Sequence, residues 1–264
     1  MEVKAPAKVN WHLAVGNRRP DGYHPILSIF QTCSLFDVLD ISIGKGPFSI
    51  RVEGLEGLCG PGCSTLDKAA VLWHDATGFN GSVTVKVIKN IPSQAGLGGG
   101  SSDAASLLLY LNSISENPMD QDSLMSLGAK VGCDVPFFVS QARSAIVTGL
   151  GENVRPIRAR TDLQGFIICS EEEKVSTREA YEALDGRGDI PGFEEEAGIE
   201  EIYNRPVSEW SFRNDFDLVN RRPAVDVLAD EKLLLTGSGS CHVLLTERKK
   251  LTLGNGYKAM KVSF

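Results

Sequence analysis

Ile91-Pro92-Ser93-Gln94-Ala95-Gly96-Leu97-Gly98-Gly99-Gly100-Ser101-Ser102-Asp103 is the stretch on which the reading of this chain turns. It follows the β-branched run Val83 to Ile88 and leads straight into the apolar run Asp103 to Leu111, so it joins a predicted strand to a predicted helix. Glycine at 96, 98, 99 and 100 removes the Cβ atoms that would hold a ligand off the backbone, and permits positive φ where a concave nest of amides requires it. The unpaired N–H groups and the positive end of the helix dipole then face the nest, assisted by the hydroxyls of Ser101 and Ser102. A chain of phosphates suits that chemistry. A glycine-rich turn with a serine helix cap is the simpler alternative, but the glycines and serines exceed what a cap needs. No lysine follows the glycines, so a Walker A loop does not fit, and the third glycine of a dinucleotide fingerprint is replaced by Ser101.

Outward from this loop, Lys8 to Val15 alternates Val9, Trp11, Leu13 and Val15 against Asn10, His12 and Ala14, the pattern of a half-buried strand that ends in a turn at Gly16-Asn17. Ile26 to Ile43, with an interruption, and Phe48 to Val52 join Val83 to Ile88 as strands of an expected antiparallel sheet. Helices are predicted over Ser64 to Ala76, over Asp103 to Leu111 with Ser101, Ser102 or Asp103 as cap, and over Ser123 to Val131. A strand follows at Ser144 to Thr148. Composition shifts near Arg155-Pro156, which sets a domain boundary at about residues 150 to 160. Beyond it, strands are predicted at Gly165 to Cys169, Leu233 to Thr236 and Cys241 to Leu245, with helices near Thr177 to Leu184 and Asp215 to Asn220. The acidic stretch Gly186 to Glu201 reads as an exposed loop and short helix.

The 264 residues, 42% of them hydrophobic, suffice to build a core for one large domain or two modest ones. A net charge of -7 offers no basic excess to displace counterions from nucleic acid or an anionic membrane, so any phosphate site must be local. Residues 1 to 20 carry Glu2, Lys4, Lys8, Arg18 and Arg19, and nowhere do 18 apolar residues run together, so neither a signal peptide nor a membrane span is expected and the location reads as cytoplasmic. Cys33, Cys59, Cys63, Cys133, Cys169 and Cys241 are scattered and read as free thiols in a reducing compartment. Cys59 and Cys63 lack a second ligand pair, so no structural zinc is expected.

Pro6-Ala7-Lys8-Val9-Asn10, Gly96-Leu97-Gly98-Gly99-Gly100-Ser101-Ser102-Asp103-Ala104-Ala105 and Thr236-Gly237-Ser238-Gly239-Ser240-Cys241 resemble, in order and spacing, the three motifs of the GHMP small-molecule kinases. Within that superfamily, Arg18-Arg19-Pro20-Asp21-Gly22-Tyr23-His24 and Gly132-Cys133-Asp134-Val135-Pro136-Phe137-Phe138 are similar to the branch that phosphorylates the 2-hydroxyl of 4-diphosphocytidyl-2-C-methyl-D-erythritol in non-mevalonate isoprenoid synthesis. The resemblance is close over the first 150 residues and loose from about 155 to 210. Cys133 stands where that branch usually has alanine, and Trp11 where leucine is common. The chain after Cys241 is short, so a trimmed second domain is expected.

The resemblance implies a two-domain α+β fold, with a nucleotide-binding domain over 1–155, a C-terminal domain over 156–264 and the active-site cleft between them. It implies ATP as co-substrate with Mg2+ accompanying it, although no acidic pair points to a metal site held by the protein. Asp134 becomes the base and Lys8 its cationic partner; taken alone they would read as a helix N-cap and a solvated lysine. Asn10, two residues on, shares the face of Lys8 and can hydrogen-bond the acceptor. The nucleotide falls to Pro92, Ser93, Gln94, Ala95, Gly96, Leu97, Gly98, Gly99, Gly100, Ser101 and Ser102. Lys89 and Leu66 join them, with a solvated strand end and a helix core as their plainer alternatives. Tyr23 and Tyr181 match ring-stacking positions for a cytosine whose edge His24 would read, with Thr177 beside them. Gly237 and Ser238, followed by Gly239 and Ser240, form a turn able to approach the acceptor's diphosphate, or a simple tight turn. A different acceptor within the superfamily, or a kinase fold retained for binding alone, are the competing readings. Intact Lys8, Asp134 and glycine loop favour an enzyme.

Overall fold

A computed structural model describes residues 1–171, 176–188 and 196–264, with no side-chain description for 196 and 197. Strands β1 (Glu2–Val15), β2 (Ile26–Gly44) and β3 (Ser49–Glu53) are followed by helix α1 (Thr65–Thr77), β4 (Ser82–Ile88), and helices α2 (Gly99–Ser113), α3 (Gln121–Val131) and α4 (Val135–Val139). Then come β5 (Ser144–Gly149), β6 (Asn153–Pro156), β7 (Gln164–Ser170), α5 (Thr177–Asp185), α6 (Glu196–Tyr203), β8 (Lys232–Leu235), β9 (His242–Leu245) and β10 (Tyr257–Ser263). The strands form a six-stranded sheet with path β3-β4-β2-β5-β6 and β1 on β2, and a four-stranded sheet β10-β7-β9-β8. The change of sheet falls between Pro156 and Gln164.

β2 is continuous where an interruption was expected. β1 pairs along it from Ile26 to Asp40 apart from a bulge at residues 33–35, while β5 and β4 take separate halves as its other partners, so the strand carries on through the irregularity. The sheet is also not wholly antiparallel: β3 and β4 run parallel because α1 forms the crossover between them. Asp215 to Asn220, expected as a helix, is a single 3-10 turn over Asp215–Leu218, with Asn214 accepting from the Phe216 amide at 3.0 Å and Asp215 Oδ2 from the Val15 amide at 2.7 Å. The helix expected within Gly186 to Glu201 is α6, and residues 189–195 of that stretch lie outside the described residues.

β1 departs from a half-buried strand in two ways. Nearly all of its residues from Ala5 to Val15 are buried, because helices cover one face and the second sheet the other. The register also shifts between Pro6 and Lys8 and again between Asn10 and His12. The second shift sends Leu13 and Val15 into the core beneath the helices, while Val9 and Trp11 pack toward the second sheet, so the four do not share a face. Trp11 is accommodated by a cluster of aromatic rings, with Trp210 at 5.5 Å and Phe264 edge-on at 4.7 Å, and donates from Nε1 to Gln31 Oε1 at 3.0 Å.

α2 begins in the glycine run, four residues earlier than the sequence pattern indicated. Its N-cap is Gly98 at φ 70°, with no side-chain cap, rather than Ser101, Ser102 or Asp103. Its leucines and alanines pack against the sheet and against α1, whose own start is closed by the reciprocal Ser64–Asp67 capping box. Among the cysteines, Cys169 and Cys241 form a disulfide, which corrects the expectation of six free thiols. The pairing of Ile168 with His242 places these two directly opposite one another, a neighbourhood invisible at a separation of 72 residues. Cys33, Cys59, Cys63 and Cys133 are free. Among the described residues, no helix is long and apolar enough to cross a membrane.

The second and third glycine motifs meet back to back. A Cβ on Gly96, at φ +73°, would enter the Thr236 carbonyl and come within 3.0 Å of Gly237 Cα. Gly96→Ala is expected to cost about 1–3 kcal/mol, as strained backbone does. At roughly 2–4 °C per kcal/mol for a chain of this size, calorimetry should register a clear fall in Tm. An unchanged Tm would show that the two turns do not interlock.

Candidate active site

A cleft of about 1090 Å³ runs from the glycine loop past the Lys8 side chain to α5. That exceeds the usual range of a single small-molecule pocket, roughly 300–1,000 Å³, and leaves room for two ligands side by side. Pro92, Ser93, Gln94, Ala95, Gly96, Leu97, Gly98, Gly99, Gly100 and Ser101 all line it. Gly98 takes a positive φ of 70°, and neither it nor Gly99 leaves a side chain free space. A Cβ on Gly98 would crowd Lys8 Cγ at 3.0 Å and the Phe138 ring at 3.1 Å, and one on Gly99 would lie 3.2 Å from Lys89 Nζ. The α2 N-terminus therefore opens into the cleft without a capping side chain. Ser102 is fully buried behind the loop, and among the described residues its hydroxyl has no partner.

Lys8 is placed by the register shifts on either side of it. Its amide donates to the Leu97 carbonyl at 2.9 Å, tying β1 to the loop. Its ammonium, on a side chain only 4% exposed, lies 3.5 Å from Asp134 Oδ2, donates to Asn10 Oδ1 at 2.7 Å and sits 4.5 Å from the Phe30 ring centroid. Asp134 occupies the N-cap position of α4, yet its carboxylate makes no capping bond. It is left to Lys8 and to the cleft.

Asn10 is held from every side: Oδ1 also accepts from the Gly237 amide at 2.9 Å, Nδ2 donates to Ser28 Oγ at 2.9 Å, and its own amide donates to Thr236 Oγ1 at 3.1 Å. These partners take up Oδ1 and one hydrogen of Nδ2, while the second Nδ2 hydrogen is left over and Asn10 lines the cleft. Leu66 is corrected. It is fully buried in the core under α1, and its neighbour Thr65 faces the cleft instead, donating to the Gly100 carbonyl at 2.7 Å. One residue around a helix is enough to exchange core for cleft.

Lys89 reaches the cleft wall between two carboxylates, Asp37 and, at 3.0 Å, Asp103. Asp37 is fully buried and its other oxygen accepts from the Asn90 and Ile91 amides at 2.6 and 2.9 Å, anchoring the chain where it enters the loop. Burial lowers the Lys89 pKa, but the two carboxylates outweigh it and raise it overall. Burial drives the Asp103 carboxyl up to about 7, with Lys89 pulling it down and Asp37 pushing it further up.

At the α5 end, Tyr23 is largely exposed at the rim, while Tyr181 stacks on His24 at 5.1 Å and meets Phe216 edge-on at 4.9 Å. Burial, then the charges of Asp134 and Cys133, push the Tyr181 phenol above its ordinary range. The ring of His24 is engaged at both nitrogens, Nδ1 at 2.9 Å from the Gly16 carbonyl and Nε2 at 3.2 Å from Asp185 Oδ1. Both nitrogens thus have protein partners here, and His24 lines the cleft. Thr177 accepts from Ser238 Oγ at 3.3 Å, and Gly237 and Ser238 line the cleft. Gly239 is packed against Asn220. Arg18, Thr65 and Asp185 are cleft residues that sequence reading missed. Arg18 opens the Arg18–His24 stretch quoted above, and Asp185 lies four residues beyond Tyr181 on one helix face.

A phosphate-binding turn beside a lysine–carboxylate pair and an aromatic slot is suited to phosphoryl transfer between a nucleotide and a ring-bearing acceptor. Comparison with known proteins bears on this. The family model for the GHMP kinases N terminal domain matches residues 64–142. The chain is 34% identical over 250 residues to the 4-diphosphocytidyl-2-C-methyl-D-erythritol kinase of Pelobacter propionicus, covering 93% of this chain and 86% of the relative. With that of Caldicellulosiruptor bescii it shares 33% identity, covering 100% of this chain and 93% of the relative. A crystal structure of 4-(cytidine 5'-diphospho)-2C-methyl-D-erythritol kinase superposes over all of both chains with TM-score 0.72 and 26% identity. Mevalonate kinase from Methanococcus jannaschii, at 13% identity and TM-score 0.67 over 100% of this chain and 98% of its own, shares the fold.

The Asp103 carboxyl has a testable consequence. An unfolded aspartate titrates near 3.9, whereas burial holds Asp103 at about 7, so between those pH values the native state binds the proton more tightly. Stability contributed by this group is therefore lost as pH rises through the window and is constant above it. Asp103→Asn should remove that decline: the variant's Tm relative to the unmodified protein should climb from pH 4 to 7 and then level off. A difference independent of pH in thermal melts would refute the assignment.

Proposed function

The chain belongs to the 4-diphosphocytidyl-2-C-methyl-D-erythritol kinase family, and from that premise we propose that it transfers the γ-phosphoryl group of ATP to the 2-hydroxyl of 4-diphosphocytidyl-2-C-methyl-D-erythritol. The observation that carries this reading is the Lys8–Asp134 pair, 3.5 Å apart, beside an uncapped helix N-terminus that opens through glycines into the same cleft. Phosphoryl transfer needs positioning and charge stabilisation more than covalent help. Backbone amides of the loop receive the phosphates. The Asp134 carboxylate takes the proton of the acceptor hydroxyl as its oxygen bonds to the γ-phosphorus, and the bond to the β–γ bridging oxygen breaks, releasing ADP.

Lys8 balances the charge that develops on the transferring group and restrains Asp134. Its bond to Asn10 Oδ1 makes Asn10 a brace for Lys8, and the remaining Nδ2 hydrogen of Asn10 can still reach the acceptor. Tyr181, Tyr23 and the face of His24 offer aromatic surface to a cytosine, with Thr177, Gly237 and Ser238 nearby for the acceptor's diphosphate. Mg2+, expected to accompany ATP, would neutralise phosphate charge. Among the described residues, no group of three or more His, Cys, Asp or Glu gathers in a way that could hold an ion. We place the reaction in the cytoplasm, within the non-mevalonate route to isoprenoid precursors.

Asp134→Asn keeps the shape and removes the base. It should lower kcat by about 10²-fold or more while leaving ATP affinity nearly unchanged. An assay of the unmodified protein with ATP and a panel of acceptors should show phosphorylation of the cytidine diphosphate acceptor and little of mevalonate or homoserine. Near-full turnover in the variant would remove Asp134 from its role, and equal use of an acceptor lacking cytidine would remove the substrate assignment.

A further inference from the structure

Where the β1–β2 connection meets α5, one carboxylate faces two cationic side chains. Asp185 Oδ1 is 3.2 Å from His24 Nε2, and Asp185 Oδ2 is 3.6 Å from Arg18 Nη1. The two cations differ in setting, since the His24 side chain is 4% exposed and that of Arg18 62%. Solvent therefore screens the Arg18 contact far more. The other ring nitrogen of His24 lies 2.9 Å from the Gly16 carbonyl, which can only accept, so Nδ1 carries a hydrogen. A neutral ring would then direct the Nε2 lone pair at the Asp185 carboxylate, two acceptors with no proton between them. The imidazolium alone donates at both ends.

The same ring stacks on Tyr181 with centroids 5.1 Å apart and planes at 29°. Tyr181 and Asp185 are four residues apart on α5, so one helix face supplies both the stacking partner and the carboxylate. Among the described residues, the charged and titratable groups facing His24 are Asp185 and Tyr181 from α5 and Arg18 from its own connection; Arg178 and Glu182 are paired with one another at 2.8 Å.

We propose that Asp185 is a positioning residue for the acceptor: it holds His24 as a doubly protonated imidazolium and thereby fixes the His24–Tyr181 stack that forms one wall of the cytosine slot. The term "cytosine slot" rests on the proposed function above, whereas the protonated ring does not. Removal of the carboxylate leaves Nε2 without its acceptor, frees the ring to lose a proton, and loosens the tie between α5 and the β1–β2 connection.

Two measurements on the full chain with Asp185→Ala and Asp185→Asn test this. Nitrogen-15 spectra of the histidine rings near pH 7 should show His24 protonated at both nitrogens in the unmodified protein and at Nδ1 alone in both variants. In steady-state kinetics, the KM for 4-diphosphocytidyl-2-C-methyl-D-erythritol should rise roughly tenfold, the scale of a charge-assisted hydrogen bond. The KM for ATP and kcat at saturation should stay within about twofold by the same argument. A His24 spectrum unaltered in both variants overturns the proposal, and so does an unaltered acceptor KM. Should the unmodified protein ignore the cytidine acceptor altogether, the failure falls on the acceptor assignment, and the ring spectra still decide whether Asp185 holds the imidazolium.

Discussion

Asn10 Oδ1 accepts from Lys8 Nζ at 2.7 Å and from the Gly237 amide at 2.9 Å, while Nδ2 donates to Ser28 Oγ at 2.9 Å. A buried amide that left one of these groups unpaired would carry a penalty of about 1–3 kcal/mol, so the three contacts stand or fall together. Through them the first and third sequence motifs share one joint. The second enters by the backbone, with the Lys8 amide bonded to the Leu97 carbonyl and Gly96 pressed against Gly237. The position of the Lys8 ammonium is in this way tied to the position of the glycine-rich turn, although 226 residues separate Asn10 from Thr236.

The electrostatics follow the same local logic. A chain of net charge -7 has no general attraction for phosphates, and the favourable field comes from oriented amides and two lysines set against a few carboxylates. Those carboxylates have separate tasks. Asp37 and Asp103 hold Lys89 behind the loop, and Asp37 also fixes the Asn90 and Ile91 amides, whereas Asp134 remains available because α4 does not use it as a cap.

The two sheets are joined by an apolar layer in which Ala7, Val9 and Trp11 of β1 meet Ile167, Val243 and Trp210. The bulges that turn Lys8 and Asn10 toward the cleft also turn Trp11 into this layer. Gln31 bonds Trp11 Nε1 at 3.0 Å, the Tyr203 hydroxyl at 2.5 Å and, through Nε2, the Arg160 carbonyl at 2.7 Å, so a polar side chain links the same parts of the chain. The packed layer lies beneath the Lys8 and Asn10 stretch of β1. It supports the site without contributing a reacting group.

Much of the local structure was legible in the sequence because it depends on short-range physics. Strand and helix positions followed from periodicity, and the glycine run declared a turn meant for a ligand that backbone amides can reach. The motif resemblance supplied Lys8 and Asp134, which their own surroundings in sequence would not have distinguished from a solvated lysine and a helix cap. What tertiary structure decided were matters of register and of which face a residue presents. A bulge invisible to an alternating pattern separates Leu13 from Trp11, the crossover through α1 makes β3 and β4 parallel, and a cross-strand position makes neighbours of Cys169 and Cys241. The Asp185–His24–Arg18 contact likewise exists only once α5 is packed against the β1–β2 connection. Sequence by itself determined most of the elements, because periodicity, capping and turn chemistry are set within a few residues. The pairing of side chains across the cleft required the fold, because long-range register is set by the whole core at once.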